Sequence, residues 1–213
     1  AIARSMLARS AWVSGLVTAG TQAAQVKNNQ QVQENDPQIV NLRRLVLGAL
    51  NRNALFFTAT LPEKIVPPFF NRYSGETNHY GFHVDNAVRL LPGGSGYVRT
   101  DVSATLFLSE PQEYDGGELV INDTFGQHGV KLQAGSMVIY PSSSIHQVTP
   151  VTRGERLACF MFIQSMVRNP DQRRLLYEMD MALLQLRQNI GETPAVVSLT
   201  GTYHNLLRQW ADS

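Results

Sequence analysis

The sequence predicts a mainly β fold, a sandwich or barrel flanked by helices. Between residues 65 and 166, seven short strand-like runs are separated by turns rich in Gly, Pro, Asp and Ser. No helical pattern alternates with these runs, which argues against the βαβ units of a parallel sheet. Helical periodicity is confined to the segments on either side. At 213 residues the chain is long enough for one domain with a sizeable core.

Residues 1–64 form the first predicted segment, an N-terminal α/β flank that packs on the core. Asp36 is a suitable N-cap and Pro37 a suitable first residue for a helix. The apolar residues of this helix recur at helical spacing, at Ile39, Leu42, Val46 and Leu50. The sequence therefore predicts an amphipathic helix that begins next to Asp36.

Residues 65–166 form the second predicted segment, the β domain. Its strand-like runs are GFHVDNAV, DVSATLFLS, GELVIN, GVKLQ, SMVIYP, IHQVTPV and RLACFMFIQ. The glycine-rich turn LPGGSG, residues 91–96, lacks the Lys-Ser/Thr pair that completes a phosphate-binding loop. We expect this turn to be a flexible segment at the mouth of a pocket.

Residues 167–213 form the third predicted segment, which is helical. Asn169 and Pro170 predict the start of a helix, and Gly191 with Pro194 predicts its end. Its apolar positions are Leu176, Met179, Leu183, Leu186 and Ile190. A short amphipathic stretch, HNLLRQW, follows near the end of the chain. We expect the apolar stripe to serve internal packing or a subunit contact, and on this basis we predict a homo-oligomer.

Charge and hydropathy argue against nucleic acid and a membrane as partners. The formal net charge of +1 argues against nucleic acid, and no apolar run approaches the length of a membrane span. The single cysteine, Cys159, lies in the apolar run LACFMFI and is predicted to be an inert core residue. The N-terminal stretch has no apolar run followed by a cleavage site, so we expect a cytoplasmic protein without a secretory signal.

The first candidate site lies in the run GFHVDNAV. Side chains two residues apart on a strand point the same way, so His83 and Asp85 are predicted to project together. Phe82 and Val84 then face the opposite side. An imidazole and a carboxylate that converge can form a metal site, an acid–base pair or a surface ion pair.

The second candidate site lies further along the chain, where His146 and Arg156 stand ten residues apart. The strand that Arg156 opens has two apolar faces, so it is predicted to be buried on both sides. A guanidinium that enters such a strand needs an anion close by, and no acidic residue alternates with it. A carboxylate-bearing ligand would supply that anion through two parallel hydrogen bonds.

Together these residues resemble the Fe(II)- and 2-oxoglutarate-dependent dioxygenases, and in particular the bacterial PKHD-type hydroxylases, relatives of prolyl 4-hydroxylase. The resemblance extends over most of the chain. The stretches that carry it are NRYSGETNHYGFHVDNAVR, DGGELVI, GSMVIYPSSSIHQVTPVTRGERLA and the helical tail. It implies a double-stranded β-helix (jelly-roll) core, with which the seven predicted strands are compatible.

The resemblance also implies a set of site residues. His83, Asp85 and His146 match the iron ligands, Arg156 matches the residue that binds the distal carboxylate of 2-oxoglutarate, and Tyr73 matches a tyrosine near that carboxylate. Beyond the metal ligands no catalytic side chain is predicted. The implied cofactors are Fe(II), 2-oxoglutarate as co-substrate, O₂, and ascorbate as reductant. The carboxylate at Asp85 favours hydroxylation, since related halogenases have a small residue there.

The implied reaction is hydroxylation of an unactivated C–H bond, with decarboxylation of 2-oxoglutarate to succinate. The substrate is expected to be a small molecule or a peptide, with a link to iron uptake. Two alternatives stay open: a cupin-like metalloenzyme that does not use 2-oxoglutarate, and a non-catalytic sensor of iron or 2-oxoglutarate. Arg156 discriminates against the cupin-like enzyme, which needs no anchor for a carboxylate.

Overall fold

The computed structural model describes residues 1–91, 94 and 96–212. Its helices are α1 (Ile2–Leu7), α2 (Thr21–Ala24), α3 (Ile39–Leu50), α4 (Ala54–Thr60), α5 (Pro170–Ile190) and α6 (Pro194–Trp210). Its strands are β1 (Trp12–Ser14), β2 (Lys27–Asn28), β3 (Gln30–Val32), β4 (Pro62–Ile65), β5 (Phe69–Tyr73), β6 (His79–His83), β7 (Val88–Leu90), β8 (Tyr97–Arg99), β9 (Val102–Phe107), β10 (Tyr114–Gly116), β11 (Leu119–Asp123), β12 (Gly126–Val130), β13 (Met137–Pro141), β14 (His146–Val148), β15 (Val151–Gly154) and β16 (Arg156–Ser165). Pro92, Gly93 and Ser95 of the predicted flexible turn LPGGSG lie outside the described residues.

Two antiparallel sheets build the core of the protein. The larger has the strand order β1-β3-β5-β16-β9-β13, with β4 also paired to β16, and the smaller has the order β12-β11-β14-β6-β2. Side chains from both sheets share one buried cluster, which includes Tyr73, Phe107, Leu119, Ile121 and Val148. Two packed antiparallel sheets are the architecture of a jelly roll, so the predicted fold class is confirmed.

The long strand β16 lies at the centre of the larger sheet and is buried on both faces, as predicted. Alternate residues Leu157, Cys159, Met161 and Ile163 join a cluster with the buried face of α3. Arg156 and Ala158 alternate with these residues and point to the other side. Cys159 is fully buried, and burial raises the pKa of its thiol, as expected for an inert core cysteine.

The helix α3 buries the four residues predicted for it, Ile39, Leu42, Val46 and Leu50. The prediction of its start is wrong: the helix begins at Ile39, and Gln38 is its N-cap residue. Asp36 instead accepts hydrogen bonds from the backbone N–H groups of Gln38 (2.7 Å) and Ala11 (2.6 Å). Its carboxylate thus fixes the turn before the helix to the start of β1.

The C-terminal helices pack on each other, and α5 also packs on α4. As predicted, Asn169 caps α5 and Gly191 ends it, with a positive φ of 73°. The second helix is longer than the predicted stretch HNLLRQW, because it begins at Pro194. Leu176 and Leu183 of α5 share a cluster with Val196 and Tyr203 of α6.

This packing covers four of the five residues of the apolar stripe of α5 within one chain, whereas Ile190 is 57% exposed, so most of the stripe does not require a second copy. The predicted homo-oligomer remains a prediction. The three-segment division also remains a prediction; its boundary after residue 64 falls inside β4. Among the described residues, no helix is long and apolar enough to cross a membrane.

Candidate active site

Two histidines face each other across neighbouring strands of the smaller sheet. His146, the first residue of β14, is paired with His83, the last residue of β6, and their ring centroids are 4.2 Å apart. His83 Nδ1 contacts the carbonyl oxygen of Gly81 (2.8 Å), and His146 Nδ1 contacts that of Ser144 (2.9 Å). Because a carbonyl can only accept, each Nδ1 carries the proton. In the neutral imidazole, Nε2 then carries the free lone pair.

Asp85 completes a group of three possible metal ligands, although it does not lie on the predicted strand. The pairing of β6 with β14 ends at His83, so Asp85 has no ladder partner and lies in the irregular segment that follows. Its Oδ2 atom is 3.7 Å from His146 Nε2. The candidate ligand atoms of His83, Asp85 and His146 all lie within 4.8 Å of one another.

Two buried serines orient the carboxylate of Asp85. Ser103 Oγ donates to Asp85 Oδ2 over 2.6 Å, and Ser142 Oγ lies 2.7 Å from Ser103 Oγ. Neither serine was predicted as a site residue. The available signal was weak: Ser103 and Thr105 are polar residues that alternate inside the apolar run DVSATLFLS. Their common face is the one that points between the two sheets.

The surroundings of His83 favour its neutral form. Burial, together with the nearby His146, lowers the pKa of His83 to about 3. The ring of Tyr80 stacks on the imidazole with centroids 3.6 Å apart, and burial raises the pKa of the Tyr80 phenol. At neutral pH, therefore, the imidazole of His83 is uncharged and stacks on a protonated tyrosine. The uncharged imidazole is the form that binds a metal ion.

Arg156 is a buried cation without a protein anion. It is 1% exposed, and its guanidinium lies 5.2 Å from the ring centroids of both Tyr73 and Phe107. Within the described part of the chain, its three side-chain nitrogens have no hydrogen-bond partner. A buried, unpaired guanidinium is costly, so this position is suited to an anionic ligand.

Tyr73 lies directly opposite Arg156 on β5, as the register of the larger sheet requires. Its hydroxyl accepts a hydrogen bond from Asn71 Nδ2 over 3.3 Å, and burial raises its pKa. Asn71 was missed in the sequence, although it stands two residues before Tyr73 on the same face of the strand. Its side-chain oxygen has no partner among the described residues.

One cavity of about 60 Å³ between the sheets is lined by all five predicted site residues: Tyr73, His83, Asp85, His146 and Arg156. Two other arginines flank the loop between β7 and β8. Arg99 pairs with Asp101 (2.8 Å) and is structural, whereas Arg89 also lines the cavity.

Comparison with known proteins places this chain in a family. A PKHD-type hydroxylase from Nitrosomonas europaea, NE2125, is 99% identical over 213 residues, which are 100% of this chain and 94% of that protein. The PKHD-type hydroxylase YbiX of Escherichia coli is 56% identical over 98% of this chain and 92% of that protein. This chain belongs to the PKHD-type hydroxylases.

The family profiles and the fold agree with this assignment. Residues 68–164 match the 2OG-Fe(II) oxygenase superfamily, and residues 171–212 match the PKHD-type hydroxylase C-terminal domain. The protein is thus a 2OG-Fe(II)-dependent hydroxylase, as predicted. The crystal structure of SnoN, a non-heme alpha ketoglutarate dependent epimerase from nogalamycin biosynthesis, has the same fold, with a TM-score of 0.50 and 15% identity over 78% of this chain and 70% of SnoN.

The donor set of this PKHD-type hydroxylase fits a ferrous ion. Two neutral imidazoles and one carboxylate are the ligands of the facial triad in non-heme Fe(II) oxygenases. The unpaired nitrogens of Arg156 in the same cavity fit a dicarboxylate such as 2-oxoglutarate.

Proposed function

We propose that His83, Asp85 and His146 bind a single Fe(II), and that Arg156 with Tyr73 binds the distal carboxylate of 2-oxoglutarate beside it. The observation that carries this proposal is the buried guanidinium of Arg156, which has no partner among the described residues and lines the same cavity as the three possible ligands. A 2-oxoglutarate dianion would satisfy the guanidinium at one end and reach the metal at the other.

When bound, iron and 2-oxoglutarate would supply the activation of O₂: one oxygen atom would enter the C–H bond as C–OH, and the other would enter succinate as 2-oxoglutarate loses CO₂. The chain supplies position and exclusion of water. The Nδ1–H bonds to backbone carbonyls hold both imidazoles with Nε2 toward the metal, and Ser103 holds the carboxylate of Asp85. The buried walls of the cavity keep bulk water away from the reacting atoms. Ascorbate is the proposed reductant that returns the iron to the ferrous state.

The buried Arg156 also separates this proposal from its first alternative. A cupin-like metalloenzyme without 2-oxoglutarate would leave the guanidinium uncompensated inside the protein, at a cost of several kcal/mol. A non-catalytic sensor would keep the same ligands but lack a site for a substrate beside the metal. The polar side chains that line the rest of the cavity favour an enzyme.

The proposed substrate is a small molecule or a peptide, and a role linked to iron uptake is proposed from the resemblance to bacterial relatives. A cytoplasmic location and assembly as a homo-oligomer complete the proposal.

The test is a spectroscopic and product assay on the purified protein. Anaerobic addition of Fe(II) and 2-oxoglutarate should give a weak visible charge-transfer band, and admission of O₂ should then yield succinate. His83→Ala and His146→Ala should lose the band because they lose iron. Absence of the band in the wild-type protein, together with no binding of 2-oxoglutarate, would reject the proposal.

A further inference from the structure

Three polar residues of the N-terminal flank form one wall of the active-site cavity. Lys27, Asn29 and Gln31 alternate along the chain, are 8%, 2% and 2% exposed, and all line the cavity. Lys27 pairs with Tyr80 in the smaller sheet, whereas Gln31 pairs with Asn71 in the larger. The segment therefore crosses from one sheet to the other and closes the space between them. We call these three residues the polar wall.

The polar wall has more hydrogen-bonding capacity than the protein uses. In the described part of the chain, Asn29 Nδ2, Asn29 Oδ1 and Gln31 Nε2 are buried and have no hydrogen-bond partner, although the side chain of Asn29 lies near the hydroxyl of Tyr73. Lys27 Nζ donates to Thr18 Oγ1 (2.9 Å), and the same hydroxyl donates to Gln31 Oε1 (2.8 Å). Buried amides are normally paired, because each orphaned group loses its hydration without compensation. A ligand with both donors and acceptors would supply the missing bonds.

The charge of this part of the cavity points to an anion. Among the described residues, Lys27 and Arg89 form no salt bridge, whereas other basic residues such as Arg43, Lys64 and Arg99 do. Burial, and the proximity of Arg89, lower the pKa of Lys27 to about 7, with Asp85 opposing the shift. Once a ferrous dication and a 2-oxoglutarate dianion are bound, Asp85 and Arg156 also offset each other. Arg89, and Lys27 in its protonated form, then remain as the uncompensated charges.

These cations lie at the metal end of the cavity, apart from the proposed anchor of 2-oxoglutarate. Lys27 Nζ lies 5.0 Å from the ring centroid of Tyr80, and that ring stacks on His83. Arg89 packs on Phe162 (4.3 Å) and donates to the carbonyl oxygen of Thr18 (3.1 Å). Arg156, in contrast, lies against Tyr73 and Phe107. The cavity thus has two separate cationic regions.

We propose that the polar wall is the substrate subsite, and that the substrate carries a carboxylate next to an amide, as in an N-acylated amino acid or the C-terminal end of a short peptide. Lys27, with Arg89, binds the carboxylate, and the unpaired amides of Asn29 and Gln31 bind the amide of the substrate. This inference rests on the proposed function, since it needs iron and 2-oxoglutarate in the same cavity.

The test uses a matched pair of small probes, N-acetylglycine and N-acetylglycinamide, which differ in the charge of one group. Each is titrated anaerobically into the protein loaded with Fe(II) and 2-oxoglutarate, and binding is followed by the change in the visible band. N-acetylglycine should bind at least about tenfold more tightly than the amide, as expected for a hydrogen bond to a charged group. Lys27→Met should remove this preference. Lys64→Met, on the exposed face of β4, is the matched control and should retain it.

Each outcome has a defined meaning. Equal binding of acid and amide, binding of neither, or an unchanged preference in Lys27→Met would overturn the inference. Loss of the visible band in Lys27→Met would place Lys27 in the co-substrate site and would also overturn it. Failure of the wild-type protein to form the band at all would reject the proposed function instead. Asn29→Leu provides a second variant: it should weaken both probes, because it removes the amide contact and leaves the cation.

Discussion

Replacement of Arg156 by Met should have opposite effects on the protein with and without 2-oxoglutarate. The variant keeps an unbranched side chain in the space between Tyr73 and Phe107 but removes a charge that has no described partner. Replacing a buried ion pair by apolar side chains of similar size is often neutral or stabilising, by about 1–4 kcal/mol, and a buried charge without a partner should be at least as costly to keep. The ligand-free variant should therefore melt at the same temperature as the wild type or above it.

The same substitution should abolish stabilisation by the co-substrate. At a concentration of about 100 times its Kd, 2-oxoglutarate should stabilise the wild-type Fe(II) protein by about 2.7 kcal/mol. For a chain of this length this corresponds to a rise in Tm of roughly 5–11 °C. The loss of two charge-assisted hydrogen bonds costs about 3–6 kcal/mol, a factor of about 10² to 10⁴ in affinity. At the same concentration the stabilisation of Arg156→Met should then fall below about 0.4 kcal/mol.

Anaerobic thermal unfolding with and without 2-oxoglutarate measures both effects. Arg72→Met is the matched control, because Arg72 is the neighbour of Tyr73 on β5, points away from the cavity and pairs in register with Leu157. The control should keep the full ligand-induced shift. If Arg156→Met kept this shift, or if it strongly destabilised the ligand-free protein, Arg156 would have a structural role and the reasoning would be refuted.

Three further predictions test other parts of the account. Ser103→Ala should weaken Fe(II) binding about 10–100-fold in equilibrium dialysis, because Asp85 loses its orienting hydrogen bond. Ser143→Ala, at an exposed serine, is the control and should bind Fe(II) like the wild type. If Ser103→Ala also bound Fe(II) like the wild type, Ser103 would not orient the ligand. In the metal-free protein the pKa of Lys27 is lowered to about 7, whereas in the unfolded chain it is about 10.5. Between these two pH values the free energy of unfolding of the wild type, measured by chemical denaturation, should therefore rise by about 1.4 kcal/mol per pH unit relative to that of Lys27→Met. If the two proteins showed the same pH dependence, Lys27 would not be a destabilised buried cation. Asn169→Ala should lower the free energy of unfolding by about 1 kcal/mol, because it removes the side-chain cap of α5. In calorimetry this corresponds to a fall in Tm of about 2–4 °C, and an unchanged Tm would mean that the cap does not stabilise the protein.

The features predictable from the sequence are those that depend on local periodicity. Alternation along RLACFMFIQ was enough to predict a strand buried on both faces, with an Arg156 that lacks an anion on its own strand. The spacing of apolar residues predicted the buried face of α3 and most of that of α5, where Ile190 is exposed. Turn motifs predicted that the strands are short and belong to a sandwich or barrel without βαβ alternation. Each of these patterns depends only on which faces of a single helix or strand are apolar. It can therefore be recognised without knowing which other element packs against that face.

The features that the sequence did not predict depend on contacts between distant segments. The stretch KNNQQV of β2 and β3 has little of the β-branched or aromatic character of a strand, and it is extended because it pairs with β6 and β5. Nothing in the local sequence distinguishes the residues of the polar wall, Lys27, Asn29 and Gln31, because only the pairing with β6 and β5 places them at the cavity. Asp85 lies beyond its predicted strand because β14, the partner of β6, begins at His146.

A crystal structure of the protein with Fe(II) and 2-oxoglutarate, obtained without oxygen, would show directly which side chains bind the metal and the co-substrate. The prediction is one metal ion bound by His83, Asp85 and His146, with the distal carboxylate of 2-oxoglutarate on the guanidinium of Arg156. Metal bound elsewhere, or 2-oxoglutarate bound without contact to Arg156, would contradict it.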